Sequence, residues 1–107
     1  MASKPRIKLP QSAKAGEVIE IKTLVSHVME TGQRKDAEGK IIPRDIINAF
    51  RAKFAGTEVF SAELFPGVSA NPYLAFFMRV PGPGEFEFIW IEDGGNTIID
   101  TQKLNVV

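Results

Sequence analysis

The chain carries one histidine, His27, and no cysteine. Those two counts decide most of the chemistry open to it. Without cysteine there is no disulfide framework, no zinc–thiolate site and no covalent chemistry on a thiol of this chain. A metal site would need His27 with carboxylates such as Glu30 or Asp36, a spacing that matches no known ligand pattern. The ordinary alternative is a histidine at a strand end that hydrogen-bonds locally. Ser3, Ser12, Ser26, Ser61 and Ser69 lack a Gly-x-Ser-x-Gly setting. Ser26 precedes His27, but adjacent strand residues point to opposite faces, so the two do not form a nucleophile–base pair. Pro81-Gly82-Pro83-Gly84 is no phosphate loop, because prolines remove the amides such a loop uses. Arg34-Lys35 could bind an anion, although such a pair is more often solvated surface.

The elements that would position these residues read as strands. In Gly84-Glu85-Phe86-Glu87-Phe88-Ile89-Trp90-Ile91, the residues Phe86, Phe88 and Trp90 share one side. Glu92-Asp93-Gly94-Gly95-Asn96 reads as a turn, and residues 97–106 return as a second strand. Such a hairpin cannot bury its aromatics alone, so the rest of the chain must supply an opposing layer. Residues 6–9 read as an edge strand between prolines. Residues 17–28 read as a long strand with Ile19, Ile21, Thr23 and Val25 on one face. The alternation stops over 29–44, a polar, glycine-punctuated connection that reads as a solvated arch or hairpin with its tip at Ala37-Glu38-Gly39.

Residues 45–56 fit two patterns. As a helix, Asp45 would cap it, Ile46, Ile47, Phe50 and Phe54 would form a stripe, and Gly56 would end it. As a strand, Ile46, Phe50, Ala52 and Phe54 would line one side, with Asn48 the odd member. Ala55-Gly56-Thr57-Glu58 looks like a hairpin turn into Val59-Phe60-Ser61-Ala62, which favours the strand. Residues 63–72 form a loop, residues 73–80 a further strand with Leu74, Phe76, Met78 and Val80 on one face, and Pro81-Gly82-Pro83-Gly84 a turn. About seven short strands with frequent turns predict an all-β, immunoglobulin-like two-sheet sandwich in a single domain over residues 1–107.

The totals agree with one globular domain. The 107 residues suit a single core, and 13 basic residues balance 13 acidic ones. Nothing here suggests a nucleic-acid binder, which needs a basic surplus. No stretch is long enough to span a membrane, and the first ten residues have charges and prolines where a signal peptide has its apolar run. Taken alone, that reads as a cytoplasmic protein or one exported by another route. Ten aromatics are many for one small sandwich. Phe76 and Phe77 are adjacent, so one of them leaves the core face. Either the core is unusually aromatic, or the outer faces bury a second surface against a partner.

Several strings together resemble one family. Pro5-Arg6-Ile7-Lys8-Leu9-Pro10, Gly16-Glu17-Val18-Ile19-Glu20-Ile21-Lys22, Met29-Glu30-Thr31-Gly32, Arg34-Lys35-Asp36, Ile42-Pro43-Arg44 and Ser69-Ala70-Asn71-Pro72-Tyr73-Leu74-Ala75-Phe76 are similar to the SoxZ family. That family supplies the Z subunit of the sulfur-oxidation carrier complex of thiosulfate-oxidising bacteria. The resemblance spans essentially the whole chain. It departs at Val28, where the family often has proline after the histidine, a change that concerns local loop geometry.

The resemblance implies an immunoglobulin-like sandwich that pairs with a SoxY-like subunit. In the family, SoxY bears a cysteine near its C-terminus on a glycine-rich arm. Sulfur intermediates ride on that cysteine while other Sox enzymes attach, oxidise and release them. The Z subunit is the non-catalytic half, and it needs no cofactor. The resemblance also implies a periplasmic protein, exported with its signal-bearing partner. Expected partner contacts are Met29, Arg34, Lys35 and Arg44 of the 29–44 connection, Asn71 and Tyr73 near the 63–72 loop, and the outer-face Phe77. Other Sox enzymes would bind transiently, and the isolated chain would self-associate, as a homodimer for example, or be poorly soluble; no nucleic acid or membrane is expected. The rival readings are an enzyme that handles sulfur through His27 and a stand-alone adhesion or ligand-binding module.

Overall fold

The computed structural model describes residues 5–68 and 70–107. The first four residues, part of the segment read above for a signal, and Ser69 of the 63–72 loop lie outside the described residues. Seven strands are present: β1 (Arg6–Lys8), β2 (Val18–Leu24), β3 (Ile47–Phe54), β4 (Thr57–Glu63), β5 (Tyr73–Arg79), β6 (Gly84–Glu92) and β7 (Thr97–Leu104). No helix occurs among the described residues. The strands form a three-stranded sheet in the order β1-β2-β5 and a four-stranded sheet in the order β4-β3-β6-β7. Every pair is antiparallel. This is the expected immunoglobulin-like two-sheet sandwich.

The ambiguous stretch around residue 50 is a strand, and its turn explains why. Ala55 and Gly56 both take positive φ, 52° and 84°. Two such residues in a two-residue loop match the right-handed twist of the strands they join. The chain therefore folds back at once, pairing Phe54 with Thr57. Phe50, Ala52 and Phe54 alternate into the core as a strand requires. The register against β6 shifts between Ile47 and Ala49. Just before that irregularity Ile46 and Ile47, neighbours in sequence, are both fully buried. The same shift accounts for Asn48, the odd polar member of the side that Ile46, Phe50, Ala52 and Phe54 line in the sequence.

Aromatic rings join the two sheets. Phe60 of β4 stacks on Phe76 of β5 with centroids 4.7 Å apart and planes 3° from parallel. Phe50 packs between them and the row from β6, reaching Trp90 at 5.1 Å and Phe88 at 6.3 Å. Phe86, Phe88 and Trp90 are all fully buried. Thr23 is a polar residue inside this core, and its hydroxyl is satisfied by donating to the Leu74 carbonyl at 2.8 Å.

Strand β2 is shorter than the alternation predicts. Ile19, Ile21, Thr23, Val25, His27 and Met29 are all buried, so the period of two runs to Met29. The ladder, however, ends at Leu24 opposite Tyr73. The next position on the partner is Pro72, which has no N–H to give. Only its carbonyl contributes, accepting from Val25 N at 3.4 Å. Met29 then takes φ 57° and turns the chain out of line.

The principal extents are 58 × 20 × 20 Å. A nine-residue strand spans only about 30 Å, so segments outside the sheets extend the long axis.

Candidate partner-docking surface

The segment 29–45 is a hairpin arm, as its composition predicts. Glu30 and Asp45 exchange backbone hydrogen bonds at 2.9 and 2.8 Å at its root. Lys35 bridges Ile41 further out, with Ile42 N donating to Arg34 O at 2.8 Å. Asp36 closes the tip: its N–H donates to Lys40 O, and its Oδ1 accepts from Glu38 N and Lys40 N. Gly39 supplies the positive φ, 81°, that the tip requires.

The arm's two arginines are bound to carboxylates of the same chain. Arg34 Nη2 donates to Glu30 Oε1 at 2.6 Å, and Nε reaches both oxygens at 3.2 and 3.3 Å. This bond holds the Glu30 carboxyl below its ordinary value and raises the Arg34 guanidinium. Arg44 grips Asp93 of the β6–β7 turn with two bonds, 2.8 and 2.9 Å. Asp93 also accepts from Asn48 Nδ2 at 3.0 Å and from Ile46 N at 3.2 Å. The Arg44 bond, aided by Asn48 and Ile46, brings the Asp93 carboxyl down to about 2. Paired charges of this kind cast a weaker field than free ones, so of the three expected cations here Lys35 is the one without a carboxylate bridge among the described residues.

Met29 and Asn71, two further expected contacts, hold the root of the arm. Met29 is 4% exposed, and its sulfur accepts from Ile47 N at 3.3 Å. Its side chain therefore lies in the core rather than on a partner-facing surface. Asn71, at φ 56°, clasps the chain before the arm: its Oδ1 accepts from His27 N at 2.9 Å and its N–H donates to His27 O at 2.8 Å.

His27 is a structural residue in this setting. It is 3% exposed. Its Nδ1 accepts from Met29 N at 2.9 Å, so the ring hydrogen sits on Nε2. Nε2 faces Glu92 Oε1 at 3.4 Å, too long for a well-made bond. The carboxylates named with it in the sequence lie elsewhere: Glu30 is taken by Arg34, and Asp36 closes the arm tip. No group of three or more His, Cys, Asp or Glu residues able to hold a metal ion occurs among the described residues.

The exposed aromatics mark a different surface. Phe77 is 68% exposed and Tyr73 56% exposed, on the outer face of the three-stranded sheet. Both belong to β5, whose inward residues Phe76 and Met78 are buried. Of the ten aromatics, six are therefore core, Phe60 is half-buried, and Phe65, Tyr73 and Phe77 face outward. The sequence offered an aromatic core or outward aromatics for a partner; β5 buries Phe76 on one side and leaves Tyr73 and Phe77 exposed on the other.

The outer faces of the two sheets differ. On the four-stranded sheet, charges alternate in rows: Lys53 lies opposite Glu58 and Glu87, and Lys103 opposite Glu85. On the three-stranded sheet, Lys8 lies beside Lys22 and Arg6 beside Leu24, which in turn pairs with Tyr73. Two shallow concavities open on this second face, of about 170 and 250 Å³. Lys8 and Lys22 line both.

Fold and surface together define an all-β sandwich module with exposed aromatics on one sheet face and no metal cluster among the described residues. Residues 7–103 match the family described as Sulphur oxidation protein SoxZ, and the chain belongs to the SoxZ family. No curated protein matches the chain. Among solved structures, it is similar to the superoxide reductase (neelaredoxin) from Ignicoccus hospitalis, with TM-score 0.73 and 17% identity, covering 99% of this chain and 82% of that one. It is also similar to the sulfur carrier protein SoxY from Chlorobium limicola f thiosulfatophilum, with TM-score 0.66 and 15% identity, covering 97% of this chain and 76% of that one. At these identities the likenesses show the fold.

Proposed function

We propose that this chain is the non-catalytic subunit of a SoxYZ-type sulfur-carrier complex in thiosulfate oxidation. It binds and supports a cysteine-bearing SoxY-like subunit, which holds the covalent sulfur. The observation that carries the reading is the family match over residues 7–103 of a chain with no cysteine. A subunit of a sulfur carrier that has no thiol must act through the one that has. The exposed Phe77 and Tyr73 give it a surface for that companion. Lys35 and the loops at the arm end are where other Sox enzymes reach the complex transiently. The proposed location is the periplasm, reached by joint export with the partner.

The burial of His27 weighs against an enzyme working through its imidazole, since a substrate needs access to the reacting nitrogen. The test is co-expression of the chain with a SoxY-like subunit from the same genome, followed by affinity purification and thiosulfate-dependent sulfur loading. The expected result is a stable complex whose sulfur adduct sits on the partner's cysteine. Separate purification of the two chains, or thiosulfate turnover by this chain alone, would overturn the reading.

A further inference from the structure

Ten outward positions make up the free face of the three-stranded sheet, and their charge is one-sided. Arg6, Lys8, Lys22 and Arg79 are basic; Glu20 is the one acidic member. The chain as a whole has equal numbers of each sign, so the excess is a property of this face. The internal offsets are weak: Lys22 reaches Glu20 at 3.6 Å between two exposed side chains, and Arg79 donates to the Gly16 carbonyl at 2.8 Å. Among these charges stand Val18, Leu24, Tyr73 and Phe77, three of them more than half exposed. Phe77 and Tyr73 lie along the β5 edge, Phe77 opposite Glu20, while Arg6, Lys8 and Lys22 lie on β1 and the central β2. Exposed apolar side chains beside a net-basic stretch suit a protein of the other sign.

We infer that this face docks the SoxY-like subunit through an acidic, partly apolar sheet face of that partner, and that its charge disfavours pairing of two copies of this chain through the same face. This rests on the reading of the chain as the companion of such a subunit. A symmetric dimer through the face would press one net-basic patch against an identical one, because a two-fold interface brings the same patch together. Like charges so placed are repelled, whereas an acidic partner is attracted and steered. Phe77 and Tyr73 on the β5 edge supply the burial that holds the complex, and the basic side chains of β1 and β2 select the partner. The four-stranded sheet lacks this selectivity, because its Lys53 and Lys103 already face Glu58, Glu87 and Glu85.

The test uses the full chain and the SoxY-like subunit from the same genome, with affinity measured by titration calorimetry at low and moderate salt. Three variants are compared: Phe77→Asp, the double variant Lys8→Glu with Lys22→Glu, and Ile99→Asp on the opposite sheet. Phe77→Asp and the double variant are expected to weaken binding by about tenfold or more. The double variant is also expected to lose most of the salt dependence of the wild type, and Ile99→Asp to bind within about twofold of it. The double variant changes only surface side chains, so it decides the matter even where Phe77→Asp folds poorly. Unchanged affinity in the double variant, or loss confined to Ile99→Asp, would overturn the assignment of the face. Failure of the wild type itself to bind would instead remove the functional reading beneath it. Binding of the chain to phosphatidylglycerol vesicles, abolished by the double variant while the partner still binds, would give the face to a lipid surface and overturn the proposal. A dimer of the isolated wild type that the double variant dissolves would do the same in favour of a second copy.

Discussion

Arg44 and Asp93 lie 49 residues apart in the chain and meet through two hydrogen bonds, Nε to Oδ2 at 2.8 Å and Nη2 to Oδ1 at 2.9 Å. The pair ties the returning leg of the arm to the β6–β7 turn. Asp93→Ala would strip the partner from Ile46 N, Asn48 Nδ2 and the Arg44 guanidinium together. The expected cost is about 1–3 kcal/mol, or ~4–12 °C in Tm for a chain of this size, read by calorimetry.

That cost has a pH dependence with a fixed sign. Bonding to Arg44 lowers the folded Asp93 carboxyl from 3.8 to about 2. A lowered folded value stabilises the protein only where the unfolded chain would already be ionised. The contribution is complete above the unfolded value near about 4 and is lost as pH falls through about 2. The Tm gap between wild type and Asp93→Ala should therefore be full at neutral pH and close between these two values. A gap that widens on acidification would refute the pairing.

His27→Ala removes a buried ring and leaves Met29 N without its acceptor. The expected loss is about 2–4 kcal/mol in urea unfolding. Under conditions where both proteins are folded, sulfur loading of the complex should be unchanged, because the imidazole is out of reach of a substrate. A selective loss of loading without a loss of stability would make His27 a functional residue.

Gly84 opens β6 against Phe54. A Cβ at this position would lie 2.8 Å from Cζ and 3.0 Å from Cε2 of that ring. Phe54 is itself buried and packs on Phe86 at 4.7 Å, so it has little room to retreat. Gly84→Ala is expected to destabilise by about 1–3 kcal/mol, measured by the same unfolding experiment.

The β3–β4 turn offers the opposite sign. Ala55 sits at φ 52°, a conformation that costs an ordinary L-residue and suits asparagine. Ala55→Asn should raise stability by about 0.5–1 kcal/mol, visible as a shift of the urea midpoint at constant slope.

The sandwich was legible because its strands alternate strictly where one face is buried. Phe86, Phe88 and Trp90, and likewise Phe76 and Met78, went to the core as their spacing demanded. The ends were less legible, since they depend on partners distant in sequence. Pro72 stops the β2 ladder at Leu24, although burial continues through Val25 and His27. The arm's hairpin form could be read from its polar tip. The inward course of Met29 could not, because the period of two that places it passes through a polar Ser26-His27 pair. The separation of Phe76 from Phe77 followed from alternation alone, but the basic Arg6 and Lys8 that share this sheet face come from β1, a strand some seventy residues away and joined to the sheet through β2. A local pattern carries no information about which strand becomes a neighbour.

Trp90 is the sole tryptophan, and it is sealed between Phe50 and Phe88 with no exposed surface. Its fluorescence therefore monitors the interior of this chain and is blind to events on the outer sheet. Emission near the blue end of the indole range, unchanged in a variant that no longer captures its companion, separates a lost handshake from a collapsed scaffold in a single optical trace.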